Sequence, residues 1–324
     1  MSCLPWQETA WQRMLTVASQ NQLTHAWLIH GAKGTGRQQF VHNLSQYLLC
    51  EQPGADAACG HCQSCHWFAA ETHPDSIVIS PEDEGKAIKV DQIRDLIEVL
   101  SLSAHGKQGR RVVIISPAEA MNRQAANSLL KSLEEPPANT YFFLIAAEIS
   151  ALAATIRSRC QLLNLPSPGL SQATAWLEQA FGASPENALA LDVTNNAPIA
   201  ALELLDSGAI PIYQQLFQGF IEAGKQQQSP FTLAEQWLKQ EQYMPIKWLL
   251  RWMSVLIKLK QAGACVSAPL YSAQGVESLL QSLSLQQFYR FYDDVLEANR
   301  LWAAPLNRRL QLESLFTKWL ALFR

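Results

Sequence analysis

The chain has 324 residues and a mass of 36.1 kDa, and 16% of its residues are charged. Globular chains average about 25% charged residues, so this surface is weakly charged, as expected of a surface that other proteins cover. The formal net charge of −3 divides into −7 over residues 1–210 (13 Lys/Arg against 20 Asp/Glu) and +4 over residues 211–324 (12 against 8). Neither part has the dense positive charge of a dedicated nucleic-acid-binding protein.

Hydropathy and cysteine usage predict a cellular compartment. The sequence has no run of about 18 uncharged apolar residues, so neither a transmembrane helix nor a membrane partner is expected. The first 21 residues are polar and carry tryptophan, unlike a signal peptide. These features predict a cytoplasmic protein whose seven cysteines are reduced thiols or metal ligands rather than disulfides.

Short apolar runs alternate with helical patterns in the first half of the sequence. A strand is predicted at 25–30, followed by a glycine-rich turn at 31–36 and a helix over 38–49. This alternation favours an α/β fold with a mostly parallel sheet. Further strands are predicted at 76–80, 111–116 and 141–147, and further helices at 90–103 and 117–134.

The pattern changes after Cys160. The segment Leu165-Pro-Ser-Pro-Gly169 interrupts regular structure, and helical periodicity without a convincing strand follows it. A weaker boundary falls near 206–211. We therefore expect three domains. They are an α/β domain at 1–165 that contains the cysteine cluster at 50–65, a small helical domain at 166–209, and a larger helical domain at 210–324.

Four cysteines form a metal-ligand pattern. Cys50, Cys59, Cys62 and Cys65 are spaced Cys-x8-Cys-x2-Cys-x2-Cys, and four thiolates about 2.3 Å from the ion are a ligand set of structural zinc. Because four protein ligands leave no open coordination position, one structural Zn²⁺ is expected rather than a catalytic metal. The alternatives are a redox Cys-x2-Cys pair, an iron–sulfur site, or replacement of a thiolate by His61 or His66.

The glycine-rich turn has the form of a phosphate-binding loop with altered catalytic positions. Its sequence, Gly31-Ala-Lys-Gly34-Thr-Gly36-Arg37-Gln38, lies between a predicted strand and a predicted helix, the context of the pattern G-x-x-x-x-G-K-[ST]. Arg37 stands in place of the lysine, and its guanidinium is longer and planar. Gln38 stands in place of the hydroxyl that binds Mg²⁺, and an amide replaces that hydroxyl poorly.

The second nucleotide-binding element is altered as well. In ATPases an apolar strand ends in acidic residues that hold Mg²⁺ and activate water, and Val112–Ile115 is the corresponding run here. Ser116 and Pro117 occupy the acidic positions, and only Glu119 nearby is acidic. Two matched losses predict a former ATPase that kept its fold and does not hydrolyse ATP. A plain strand–helix turn is the alternative explanation of the glycines.

Several motifs together resemble one family. Leu129-Leu-Lys-Ser-Leu-Glu-Glu-Pro-Pro137 and Ser158-Arg-Cys160, combined with the four-cysteine insert, resemble the delta-prime family of bacterial DNA polymerase III clamp-loader subunits, within the AAA+ class. The resemblance covers the whole chain. It includes His73-Pro-Asp75, Val90-Asp-Gln-Ile-Arg94 and, near the C-terminus, Asn307–Glu313.

This resemblance implies a fold and a set of partners. It implies an AAA+ domain with a zinc module, then a helical lid, then an all-α collar that joins subunits. The implied partners are delta and gamma/tau subunits in a five-membered ring, which uses ATP to load the sliding clamp onto primed DNA at the bacterial replisome. The chain itself is then expected to lack ATPase and polymerase activity, although it is part of a DNA-directed DNA polymerase holoenzyme.

The resemblance also implies that Arg159 reaches the ATP of a neighbouring subunit as an arginine finger. A guanidinium is permanently charged and forks two hydrogen bonds onto phosphate oxygens. A structural ion pair at a strand end is the alternative role for Arg159, and Arg157 is the nearest competing arginine. For the whole chain, the alternative functions are an active ATPase with an atypical P-loop and a zinc-bearing DNA-binding module.

Overall fold

In a computed structural model, the chain folds as two compact units, residues 1–172 and 173–324. The structure describes residues 3–83, 85–102, 104–226, 229–240, 245–262, 275–302 and 306–323. The first unit contains a parallel sheet, and the regular elements of the second unit, in its described residues, are all helices.

Five parallel strands form the centre of the first unit. They are β1 (Ala26–His30), β2 (Ser76–Ile79), β3 (Arg111–Ile115), β4 (Thr140–Ala146) and β5 (Gln161–Asn164). They lie in the order β2-β3-β4-β1-β5, and every pairing between neighbours is parallel. The carboxyl ends of all strands therefore lie at one edge of the sheet, where the loops after β1 and β3 meet.

Helices cover both faces of this sheet, as a parallel sheet requires. The first seven helices of the chain are α1 (Glu8–Ser19), α2 (Arg37–Leu49), α3 (Gln63–Ala69), α4 (Val90–Leu100), α5 (Arg123–Glu134), α6 (Ala154–Arg157) and α7 (Leu170–Phe181), the last of which extends into the second unit. Trp27 and Ile29 of β1 belong to one core, with α1 and α2, while Ala26 and Leu28 belong to the opposite core, with α4 and α5. This alternation follows from the two-residue period of a strand.

The predicted fold class is confirmed, and the differences from prediction include one strand and one helix. The strand β5 was not predicted, because it is an edge strand in which only Leu163 is buried. The helix predicted over 117–134 is instead a 3-10 turn at Ala118–Ala120 followed by α5. Asn122 causes the division, since its side-chain oxygen accepts a hydrogen bond from the Ala125 N–H at 2.8 Å and so begins a new helix.

The second unit is held together by one aromatic-rich core. Phe220 stacks on Trp319 with ring centroids 4.2 Å apart, and Trp237 meets Trp252 edge-on at 5.5 Å. This core contains residues of both predicted helical domains, and a boundary between them at 209/210 stays a prediction. The remaining helices are α8 (Glu186–Val193), α9 (Pro198–Asp206), α10 (Ala209–Gln226), α11 (Pro230–Leu238), α12 (Pro245–Ala262), α13 (Val276–Ser282), α14 (Leu285–Leu301) and α15 (Arg308–Ala321). Across the described ranges, no helix combines the length and the apolar character needed to cross a membrane.

Candidate functional site

The phosphate loop connects β1 to α2 at the carboxyl edge of the sheet. Gly34 and Gly36 have φ angles of +78° and +88°, which glycine adopts readily and other residues do not. A Cβ atom on Gly31 would lie 2.9 Å from the Leu165 carbonyl oxygen, so this glycine permits a close backbone approach. Each of the three glycines singled out in the sequence is thus needed by the shape of the turn.

The amino-terminal segment of the chain covers this loop. The side-chain N–H groups of Trp6 and Gln7 both donate to the Thr35 carbonyl oxygen at 2.9 Å. A Cβ atom on Gly36 would lie 2.1 Å from Leu4 Cδ1, so Leu4 already fills the space above that glycine. The sequence analysis missed this contact, for which a tryptophan in a polar amino-terminal segment is the only local signal.

The Arg37 side chain folds back onto the protein. Its Cδ would lie 3.4 Å from a Cβ atom on Gly31, and its Nη1 is buried without a hydrogen-bond partner among the described residues. Burial lowers the pKa of this guanidinium, and the negative charge of Glu119 opposes that shift. Arg37 is therefore not extended towards a ligand as a P-loop lysine is.

The sheet brings the second element next to the loop. Gln38 Nε2 donates to Ser116 Oγ at 3.4 Å, and Pro117 follows directly. The Glu119 carboxylate uses Oε1 to accept a hydrogen bond from the Ala147 N–H at 2.9 Å, while its Oε2 is buried without a partner in the described part of the chain. At the position where ATPases place their Mg²⁺ ligands, this chain has a hydrogen bond between the Gln38 amide and the Ser116 hydroxyl.

The four cysteines converge on one point. Their sulfur atoms all lie within 4.8 Å of one another, and the Sγ atoms of Cys50 and Cys62, and those of Cys59 and Cys65, are 3.9 Å apart. A regular tetrahedron of sulfurs about 2.3 Å from a central ion has edges of about 3.8 Å. The cluster therefore has the donor set and the size of a four-thiolate metal site.

Backbone N–H groups are directed at these sulfurs. Those of Cys59, Cys62 and Cys65 lie 3.3–3.4 Å from the Sγ atoms of Cys50, Cys59 and Cys62 respectively. Such bonds favour thiolate over thiol, and metal ligation requires thiolate. Hydrogen bonds, the strongest from the His61 backbone N–H, lower the pKa of Cys59 to about 7, whereas burial raises the pKa of the Cys50 and Cys65 thiols. The His61 ring itself bonds the Cys59 carbonyl oxygen at 2.8 Å, so this side chain is engaged outside the sulfur cluster.

A buried polar network that sequence analysis did not assign connects this module to the sheet. Ser64 Oγ donates to the Leu49 carbonyl oxygen at 2.6 Å and lies 2.8 Å from His73 Nε2, while His73 Nδ1 accepts from the Asp75 N–H. The Ser64 proton is used by Leu49, so His73 Nε2 must be the donor between them. The imidazole is therefore neutral, and burial lowers its pKa. Asp75 is fully buried and accepts from the Gly106 N–H at 2.6 Å.

Arg159 lies between α6 and β5 with 31% of its side chain exposed. Its Nε donates to Glu134 Oε1 at 2.6 Å, its Nη2 donates to the same oxygen, and its Nη1 donates to the Thr155 carbonyl oxygen at 3.0 Å. Arg157 is exposed, and no described contact reaches its side chain. The ion pair considered as an alternative for Arg159 is therefore present, at an arginine that remains accessible.

Arg159 and the phosphate loop lie at opposite edges of the sheet. Trp27 pairs with Gln161 and His30 pairs with Asn164, so Arg159 precedes β5 at the amino edge while the loop follows β1 at the carboxyl edge. Five strand residues span about 16 Å, more than an arginine side chain bridges. Arg159 therefore does not reach the phosphate loop of its own chain.

Known proteins match this chain over most of its length. The family model described as "DNA polymerase III, delta subunit" matches residues 6–169, and that described as "DNA polymerase III, delta subunit, C terminal" matches residues 207–321. DNA polymerase III subunit delta′ of Pseudomonas aeruginosa is 35% identical over 323 residues, 98% of this chain and 97% of that protein. The subunit delta′ of Escherichia coli is 38% identical over 206 residues, 63% of this chain and 61% of that protein.

A solved structure has the same fold. A DNA polymerase III gamma subunit-related protein from Thermotoga maritima aligns with a TM-score of 0.54 at 19% identity, covering 96% of this chain and 99% of that chain. At that identity the likeness concerns the fold alone, whereas the sequence matches extend across both units. The chain therefore belongs to the delta-prime family of DNA polymerase III clamp-loader subunits.

Proposed function

We propose that this chain is a non-hydrolysing member of its clamp loader and supplies Arg159 in trans to the ATP site of a neighbouring subunit. It completes a heteropentameric ring with delta and gamma/tau subunits, which loads the sliding clamp onto primed DNA during replication in the bacterial cytoplasm. The chain contributes no ATPase or polymerase activity of its own to the polymerase holoenzyme.

The opposite positions of Arg159 and the phosphate loop carry this proposal. An arginine at the amino edge of the sheet, with 31% of its side chain exposed, lies beyond reach of its own phosphate loop, so a phosphate that it contacts would belong to another chain. A head-to-tail ring joins two different surfaces at every interface, so nucleotide held at the carboxyl edge of one subunit would lie against the amino edge of the next. A permanent positive charge that reaches γ-phosphate there stabilises the charge that develops in the transition state.

The phosphate loop supports the non-hydrolysing part of the proposal. Trp6, Gln7 and Leu4 cover it, and Gln38 and Ser116 bond to each other where Mg²⁺ ligands are needed. Each replaced residue removes a group required for phosphoryl transfer. The altered phosphate loop at the carboxyl edge and Arg159 at the amino edge are the features expected of a subunit that does not hydrolyse ATP but assists hydrolysis by its neighbour.

The test is to assemble the complex from delta, gamma/tau and this chain with Arg159→Ala. We expect hydrolysis at the neighbouring site to slow by about 10³-fold, the lower end of the effect of an arginine supplied in trans to a GTPase. Steady-state ATPase and complex size by gel filtration are measured together, so that a failure to assemble is recognised.

Arg157→Ala is the matched control, because Arg157 is exposed and two residues away. Full ATPase activity with Arg159→Ala, or a loss confined to Arg157→Ala, contradicts the assignment. ATP turnover by the isolated chain that Arg37→Ala abolishes contradicts the non-hydrolysing role.

We also propose that Cys50, Cys59, Cys62 and Cys65 hold one structural Zn²⁺. Four sulfur donors with Sγ separations of 3.9 Å suit the tetrahedral preference and ligand choice of this ion. Bound there, Zn²⁺ would join the end of α2 to α3 across the intervening loop. Metal analysis of the purified chain is expected to find one equivalent of zinc, and less than half an equivalent contradicts the proposal.

We assign residues 166–209 to a helical lid and residues 210–324 to a collar that binds the other subunits. The C-terminal family match, which begins at residue 207, supports a boundary near residue 210. Co-purification of a 210–324 fragment with the other subunits tests the collar assignment, provided that circular dichroism first shows the fragment to be helical.

A further inference from the structure

The hydrogen bonds of Arg159 restrict how it meets a phosphate. A guanidinium carries five N–H groups. Here Nε and one N–H of Nη2 go to Glu134 Oε1, and the two of Nη1 go to the Thr155 carbonyl oxygen at 3.0 Å and to Ser158 Oγ at 3.4 Å. One N–H of the five is left for a further acceptor, which is too few for a forked contact with two phosphate oxygens.

The Glu134 contact differs in kind from the other two. Thr155 and Ser158 are neutral and lie within four residues of Arg159. They fix the direction of the guanidinium without offsetting its positive charge. Glu134 ends α5, 25 residues away, and its carboxylate carries a full negative charge. That charge offsets the charge of Arg159 at the surface where the triphosphate of a neighbour would arrive.

We infer that Glu134 is a positioning residue that holds Arg159 in a resting state and must give up the guanidinium before Arg159 contacts γ-phosphate. This inference rests on the proposed role of Arg159 in trans. When ATP binds in the adjacent subunit, the Nε and Nη2 donors exchange the Glu134 carboxylate for phosphate oxygens, while the Nη1 contacts keep the side chain oriented.

The exposure of the pair makes this exchange feasible. The Arg159 side chain is 31% exposed and that of Glu134 is 49% exposed, and exposed ion pairs are weak because water screens them. A triphosphate carries more charge than a carboxylate and accepts a forked hydrogen bond, so it displaces Glu134. The free energy needed to separate Arg159 from Glu134 weakens the binding of ATP. Because the pair is already broken when ATP is bound, this free energy is the same in the ground state and in the transition state.

The test is Glu134→Gln in the assembled complex, since this change removes the charge and keeps the shape. We expect the ATP concentration for half-maximal activity to fall by about two- to fivefold, the fold-change that an exposed pair is worth. The maximal rate should not change, because the released cost is common to ground state and transition state. Glu135→Gln is the matched control, since it removes the same charge one residue away and Glu135 has no described contact with Arg159.

The same substitution in the Arg159→Ala background completes the design. If Glu134 acts through Arg159, Glu134→Gln has no effect on half-saturation in that background. An unchanged half-saturation in the single variant overturns the inference, and so does a lower maximal rate, which would mean that Glu134 orients the finger for chemistry. If Arg159→Ala itself leaves the ATPase intact, the proposed function fails instead, so the two failures are distinguishable.

Discussion

The cysteine module and the phosphate loop are both short local motifs of the first unit, and they differ in what they leave for a ligand. In the module, four sulfurs meet around one point with Sγ separations of 3.9 Å. In the loop, Leu4 and the stem of Arg37 fill the space beside the glycines, and Gln38 bonds to Ser116. The backbone of each motif is preserved, but only the module retains a complete set of donors.

This contrast separates the residues of a motif that determine its backbone shape from those that bind a ligand. Glycines record the shape of a turn, because positive φ angles and close backbone contacts need them whether or not a ligand binds. Donor atoms record chemistry, because a metal or a phosphate needs each of them. The presence of the donors, rather than of the glycines, therefore predicts whether a site is used.

The largest expected effect is at the cysteine module. Cys65→Ser removes one of four sulfurs at a residue only 1% exposed, and loss of a structural metal lowers the free energy of unfolding by about 4 kcal/mol. Chemical denaturation of parent and variant measures this. Cys3→Ser, which changes a thiol outside the cluster, should leave the unfolding midpoint almost unchanged. Equal effects of the two substitutions would remove the case for a metal-stabilised module.

A smaller effect is expected where the amino-terminal segment covers the loop. Gly36→Ala forces a residue with a Cβ into a φ of +88° and against Leu4, which should cost about 2 kcal/mol of unfolding free energy. Gly109→Ala is the control, because Gly109 has a φ of +60° with no atom near the new Cβ; it should cost about 1 kcal/mol. Equal losses of unfolding free energy in the two variants would show that Leu4 does not obstruct a Cβ atom at position 36.

The smallest expected effect sharpens the contrast. The double variant Arg37→Lys/Gln38→Thr restores the two consensus side chains of the loop, and we expect ATP turnover by the isolated chain to stay undetectable. Ser116 and Pro117 still provide no carboxylate for Mg²⁺, and Trp6 and Gln7 still bond Thr35. Phosphate release is the measurement, with Arg37→Lys alone as the matched control. Measurable turnover would mean that two side chains alone account for the lost activity.

How much the sequence predicts depends on whether a feature is local. The buried strands and α2 follow from apolar runs and periodicity, and the cysteine cluster follows from a spacing within 16 residues. The edge strand β5 was missed because three of its four residues are exposed, so its pattern lacks an apolar run. The helix predicted over 117–134 was too long because Asn122 caps α5 inside it.

Contacts between distant segments were beyond prediction from one sequence. Trp6 reaches Thr35 across 29 residues, and Arg159 reaches Glu134 across 25. No periodicity records such pairs, since only the parallel sheet and its connections bring the segments together. The Glu134 carboxylate lies inside a motif used to recognise the family, yet its contact with Arg159 becomes visible only in three dimensions.

Because Arg159 and the phosphate loop lie at opposite edges of the sheet, the two sides of this subunit are chemically different. Under the proposed function, each interface of the ring that hydrolyses ATP combines the phosphate loop of one subunit with the arginine of the next. A subunit that has the arginine but a covered phosphate loop completes the ATP site of one neighbour and offers no ATP site to the other. This chain would therefore make two unlike contacts in the ring: the neighbour at its amino edge hydrolyses ATP with the help of Arg159, whereas no ATP is hydrolysed at its own phosphate loop.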